Sequence, residues 1–98
     1  MNYIEEIARQ IRAAIPASKL PDDDSHDLFR VYAVLVLAKG ESVDAADVHN
    51  AWVSWMSGRD PDHESLVPYD RLSPDTAAQD APYVAAIRSV ARVSGSQA

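Results

Sequence analysis

Apolar positions near the start of the chain follow a helical period. Ile4, Ile7, Ile11, Ala14 and Ile15 recur at intervals of three and four, which sets them on one stripe of an α-helix. Asn2 supplies a cap, Glu5 and Glu6 suit the positive end of the helix dipole, and Pro16 stops the run. A connection containing Pro21 follows. The next stretch, Leu28 to Lys39, is apolar almost throughout, and its valines and tyrosine would also suit a buried strand. Length and punctuation decide for helix: Asp24 or Ser25 opens it and Lys39-Gly40 closes it. A helix apolar nearly all round is expected at the centre of a bundle.

Ser42 or Asp44 caps a third helix that runs to about Ser57, with Val48, Ala51, Trp52, Trp55 and Met56 on its inner face and Gly58 at its end. From Arg59 to Leu72 no period survives, and Pro61 and Pro68 interrupt the chain. This stretch reads as a long ordered loop (residues 58–73) held by Leu66, Val67 and Leu72. Ser73-Pro74-Asp75 is a helix start with proline at the first helical position. That short helix breaks at Pro82, and a last one runs from Tyr83 to Val93 with Val84, Ile87, Val90 and Ala91 inward. The pattern therefore predicts an all-α bundle of four to five helices: one domain over residues 1–93 and a flexible tail over 94–98.

Composition narrows the function classes. A chain of 98 residues makes one domain at most and buries only about 60–65% of its unfolded surface, so the large side chains carry the packing. No cysteine is present, which excludes disulfides, a thiolate nucleophile and cysteine zinc sites. The first twelve residues lack the pattern of a signal peptide, and the run Val31–Ala38 is far short of the ~20 residues that span a bilayer; a cytoplasmic, soluble protein is expected. Net charge is −6 with no basic patch, which argues against nucleic acid as a partner. The helical hairpin around Gly40-Glu41-Ser42 could be a helix-turn-helix, but Glu41, Asp44 and Asp47 would face phosphate at the recognition end. A plain hairpin is the better reading.

Candidate chemistry is sparse. His49 and His63, with Asp47, Asp60 and Asp62 nearby in sequence, lack the spacing of a helical metal site, so no metal or cofactor is expected, and His63 is expected to bond a backbone carbonyl. The three glycines are scattered, so neither a nucleophile elbow nor a phosphate-cradling loop is present. No carboxylate pair stands out, and no catalytic residue is assigned. Trp52 reads as core. Trp55 reads either as core or, with Tyr69, as the edge of a concave site that Arg59 and Arg71 flank, where they could pair with an anion. Arg88 and Arg92 share a face of the last helix and read as solvated charge.

The phrases Asp47-Val48-His49-Asn50-Ala51-Trp52 and His63 through Leu72 together resemble the ryanodine-receptor repeat (RyR) domain. They also resemble short proteins of actinobacteria and their phages, which add a Pro-Tyr-x-x-x-Ile phrase like Pro82 to Ile87. The likeness runs from about Asp47 to Ala91. The gap from Trp52 to His63 is shorter than in the receptor repeats, and Glu64 stands where those often have proline. The resemblance implies an α-helical, non-enzymatic module. It matches His49, Trp52, His63, Leu66, Pro68, Tyr69 and Leu72 to the motif, most of them in structural roles. The leading expectation is then a small binding or regulatory protein, phage-encoded or phage-related, that contacts a host or phage protein. A binder of a nucleotide-like or other anionic ligand through Trp55, Arg59, His63, Tyr69 and Arg71 is the alternative, and a hydrolase with an unrecognised site is a third. Monomer and homodimer are both open.

Overall fold

A computed structural model describes residues 2–21 and 25–96, with side chains through residue 93. Five α-helices form in chain order: α1 (Tyr3–Ala14), α2 (His26–Lys39), α3 (Ala45–Arg59), α4 (Pro74–Ala78) and α5 (Ala81–Ser96). Single 3-10 turns at Ala17–Lys19, Gly40–Ser42 and Tyr69–Arg71 join them. No strand occurs among the described residues, and the fold is the expected all-α bundle.

The helix starts follow their local chemistry. The Asn2 side chain accepts the Glu5 amide, and Ser73 accepts the Thr76 amide with Pro74 behind it. For α3 the cap is Asp44, whose carboxylate accepts the Asp47 amide while the Asp47 carboxylate accepts the Asp44 amide, a reciprocal capping box. Asp24 lies outside the described residues. Ser25 precedes α2, but its hydroxyl does not cap it: the group is buried and accepts from the Arg12 guanidinium at 3.2 Å. Arg12 also lies over the Phe29 ring, 5.3 Å from its centroid, so one side chain ties α1 to the first turn of α2. Pro82 falls within the first turn of α5, where its missing N–H costs nothing, and the helical backbone continues to Ser96, past Val93.

Helix α2 packs against α1, α3 and α5 and supplies Leu28, Phe29, Tyr32, Ala33 and Val36 to the core. Ile11 of α1, Val48 of α3 and Ile87 of α5 are fully buried beside them. Each such aliphatic side chain contributes about 1.5–3 kcal/mol by leaving water. The even apolar coating of α2 is not all used: Val34 and Leu37 remain about half exposed, on a side that none of the described helices covers.

Helices α2 and α5 run in the same direction. At one end Tyr83 packs against Tyr32, with centroids 5.7 Å apart. At the other, Arg88 donates from Nε to the Val43 carbonyl at 2.7 Å, and Arg92 reaches Glu41 at 3.0 Å. The two arginines are therefore not merely solvated charge. They clamp α5 onto the turn after α2, where Gly40 takes φ +58° and ψ −133°, a conformation open mainly to glycine. Val43 itself is fully buried, which brings its carbonyl within reach of Arg88.

Candidate functional site

Helix α3 places Trp52, Trp55 and Met56 at i, i+3 and i+4, and their half-buried side chains line a cavity of about 270 Å³. Leu28 and Tyr32 of α2 and Tyr83 of α5 line it from the core side. The loop after α3 contributes His63, Ser65 and Leu72, and the α4 region contributes Thr76, Gln79 and Asp80. The volume sits near the lower edge of the roughly 300–1,000 Å³ typical of small-molecule sites.

The loop is held onto α3 by its histidines. His49 is buried and its Nε2 lies 2.6 Å from the Val67 carbonyl; since a carbonyl only accepts, the proton sits on Nε2. The ring stacks on Trp52, centroids 5.6 Å apart at 22°, and lies 6.2 Å from the Tyr69 ring. His63 meets Trp52 edge-on at 5.0 Å. Its Nδ1 accepts the Ser65 amide at 3.0 Å, which corrects the expected bond to a carbonyl and leaves the proton on Nε2. Backbone bonds within the loop, His63 N to Asp60 O and Leu66 N to His63 O, make it compact in its own right. Leu66, Val67 and Leu72 are half-buried beneath it, and Pro68 leads into the 3-10 turn, its carbonyl accepting the Arg71 amide.

The cavity's polar groups come from elements that the motif does not include. Tyr32 is 2% exposed, and burial pushes its phenol far above the usual range, with smaller contributions from Tyr83 and Asp80. Burial raises the Asp80 carboxyl above the ordinary carboxylate range, partly offset by the nearby His49. Tyr83 is raised by burial and then by Asp80, and its hydroxyl donates to the Lys19 carbonyl at 2.7 Å. By contrast, neither the Tyr32 hydroxyl nor the Asp80 carboxyl makes a hydrogen bond among the described residues, and the favourable charge acting on Asp80 is that of His49. No described polar side-chain atom is both sealed from solvent and unpartnered, so these two groups open onto the cavity they line.

Of the anticipated binding residues, Trp55 and His63 are in the cavity wall. Arg59 lies over the Trp55 ring at 4.6 Å from its centroid and outside the lining. Tyr69 packs behind His49, and Arg71 is exposed on the 3-10 turn; neither lines the cavity. The anticipated cluster of two arginines with Trp55 and Tyr69 does not form around this space. Trp52 is not wholly core: it is half-buried and shares the wall. Pattern reasoning missed Tyr32, Asp80 and Tyr83. A hydroxyl set in the most apolar helix and a carboxylate between Gln79 and Ala81 were the faint signals available.

A hydrolytic arrangement needs a hydroxyl bonded to a base. Here the Thr76 hydroxyl accepts from Ser73 at 2.9 Å, and among the described residues no histidine is bonded to the hydroxyl of Ser65 or Thr76. Among the described residues no three His, Asp or Glu side chains converge as a metal site, and no helix is long and apolar enough to cross a membrane.

Fold and cavity together define a small all-α domain with an aromatic-walled pocket roofed by an ordered loop. The chain belongs to the DUF7701 family, described as a domain of unknown function, which matches residues 2–92. That span takes in α1 and α2, which the sequence phrases did not reach. No curated protein and no solved structure matches the chain.

Proposed function

We propose that this protein is a non-enzymatic binding module that takes up a compact small molecule in the cavity beneath the 60–72 loop. The observation that carries this reading is an aromatic-lined space of about 270 Å³ onto whose wall the Tyr32 hydroxyl and the Asp80 carboxyl open, neither hydrogen-bonded among the described residues. Both groups open onto the cavity, where a ligand could take the place of water as their hydrogen-bond partner. The loop is bonded to α3 through His49 and packed on Trp52 through His63, so the site is preformed and little ordering would oppose binding. The likeness of the His49–Trp52 and His63–Leu72 phrases to RyR-type domains supports a binding role in the same part of the chain. On this reading the module acts as a phage-related regulator in the cytoplasm. Thermal melts against organic ammonium ions, nucleosides, cyclic dinucleotides, sugars and carboxylates test it. A ligand at a hundred times its Kd raises stability by about 2.7 kcal/mol, and the rise should vanish in Trp55→Ala. No shift of Tm or tryptophan fluorescence with any member of the panel overturns the reading.

A second reading, contact with a host or phage protein, is favoured by one observation. Val34 and Leu37 stand 51% and 53% exposed at i and i+3 on α2, a spacing that places them on one outer face. Crosslinking should then capture one specific protein with the native chain and lose it with Val34→Glu plus Leu37→Glu. Equal capture by both chains rules it out.

A further inference from the structure

Resting on the cavity reading above, we infer that the ligand is a compact organic ammonium ion, its charged nitrogen set against Asp80 and its carbon frame against Trp55 and Tyr83. The lining contains no lysine or arginine, and Asp80 is its one acidic side chain. The Nδ1 of His63 is engaged as acceptor of the Ser65 amide. Of the groups that act on Asp80 only His49 offers positive charge, and that ring is already held by the Val67 carbonyl through Nε2. A half-buried carboxyl left this way is costly to charge, and burial does raise it. An ammonium ion entering the cavity supplies the missing counter-charge and donors together.

The surroundings suit that ion. Asp80 acts electrostatically on both Tyr32 and Tyr83, so the carboxyl and the two phenol rings share one end of the cavity. Tyr32 leaves its hydroxyl without a hydrogen-bond partner among the described residues, available to accept an N–H. Aromatic faces attract cations through their quadrupoles, tryptophan most strongly. One face of Trp55 is already covered by Arg59, which shows the ring in use as a cation platform from the outside and leaves its opposite face and edges to the cavity. The net charge of −6 attracts cations over the whole surface. An anionic ligand has the reverse problem: it would meet Asp80 in a partly dry space, with Arg59 and Arg71 outside the lining.

The test titrates the full chain with probes of similar shape and different charge, following fluorescence of its two tryptophans, Trp52 and Trp55, and Tm. Phenethylammonium and benzylammonium are compared with 2-phenylethanol and benzyl alcohol, and with 3-phenylpropionate. The inference expects the ammonium ions to bind at least tenfold more tightly than the alcohols, with no response to the carboxylate. Asp80→Asn should bring the ammonium ions down to the level of the alcohols, and Asp80→Glu, which keeps the charge, should retain part of the preference. A melt of each variant confirms that it folds; should Asp80→Asn unfold, loss of the preference in Tyr32→Phe takes its place. If the alcohols or the carboxylate bind as well as the ammonium ions, or if Asp80→Asn leaves the preference intact, the ammonium assignment is wrong and the cavity reading stands. If no probe of any charge changes either signal, the cavity reading fails with it.

Discussion

Removing the His49 ring tests how the loop is held. His49→Ala deletes the bond from Nε2 to the Val67 carbonyl at 2.6 Å, the stack on Trp52 and the contact with Tyr69. A net intramolecular hydrogen bond contributes about 0.5–1.5 kcal/mol, and each ring contact, scored as an aromatic pair, about 0.5–1.5 kcal/mol. The sum centres on about 3 kcal/mol, which at roughly 4–8 °C per kcal/mol for a domain of this size lowers Tm by about 12–24 °C. The loss should be local in origin. Amide exchange should rise first at Leu66 and Leu72, whose amides are bonded within the loop and its 3-10 turn, while α1 and α2 keep their protection until global unfolding. Tryptophan emission should shift to the red as Trp52 loses both its stack and its edge-on partner His63. A variant that melts within about 3 °C of the native chain, with unchanged emission, would falsify the claim that this histidine holds the roof.

Three further outcomes follow from the same structure. Asp80 has a raised carboxyl pKa in the folded chain, so folding is opposed by its charge above the folded pKa and the penalty disappears as pH falls through it toward the unfolded value. Asp80→Asn should therefore raise Tm at pH 7 and give no advantage near pH 3; equal melting at both pH values contradicts the burial argument. Arg88→Met deletes a 2.7 Å bond to the carbonyl of fully buried Val43 and should cost about 1–3 kcal/mol, whereas Arg92→Met breaks an exposed pair with Glu41 and should cost less than about 1 kcal/mol. Denaturant melts giving the opposite order would refute the clamp. Gly40→Ala introduces no contact, since nothing lies within 4 Å of the added carbon, yet the φ of +58° with ψ −133° should cost about 1–3 kcal/mol; an unchanged midpoint would show that the turn relaxes.

How much of this was legible beforehand depends on how far each signal acts along the chain. Asn2, Pro16, Ser73 and Pro74 act within a turn, so the starts and stops they predict hold. The choice between Ser42 and Asp44 stayed open because both precede the same helix; the structure gives it to Asp44 through a reciprocal bond with Asp47. Ser25 reads as a cap by type, but Arg12, thirteen residues earlier, takes its hydroxyl. The same distance effect hid the roles of Arg88 and Arg92, whose partners lie 45 and 51 residues away. Trp55 and His63 could be anticipated because helix and loop are adjacent in the chain. Arg71 could not be excluded, since only the 3-10 turn at Tyr69–Arg71 sets it outward. Tyr32 and Asp80 meet only when α2, the α4 region and α5 pack together, and no local pattern marks such a meeting.

The most direct test of the ligand-accepting cavity is a two-dimensional amide and indole NMR titration of the whole chain with phenethylammonium, 2-phenylethanol and 3-phenylpropionate in turn. The account predicts that phenethylammonium moves the indole N–H signals of Trp52 and Trp55 together with the amides of Ser65, Asp80 and Tyr83. Spectra unmoved by all three probes, or shifts confined to the outer face of α2 around Val34 and Leu37, would contradict it.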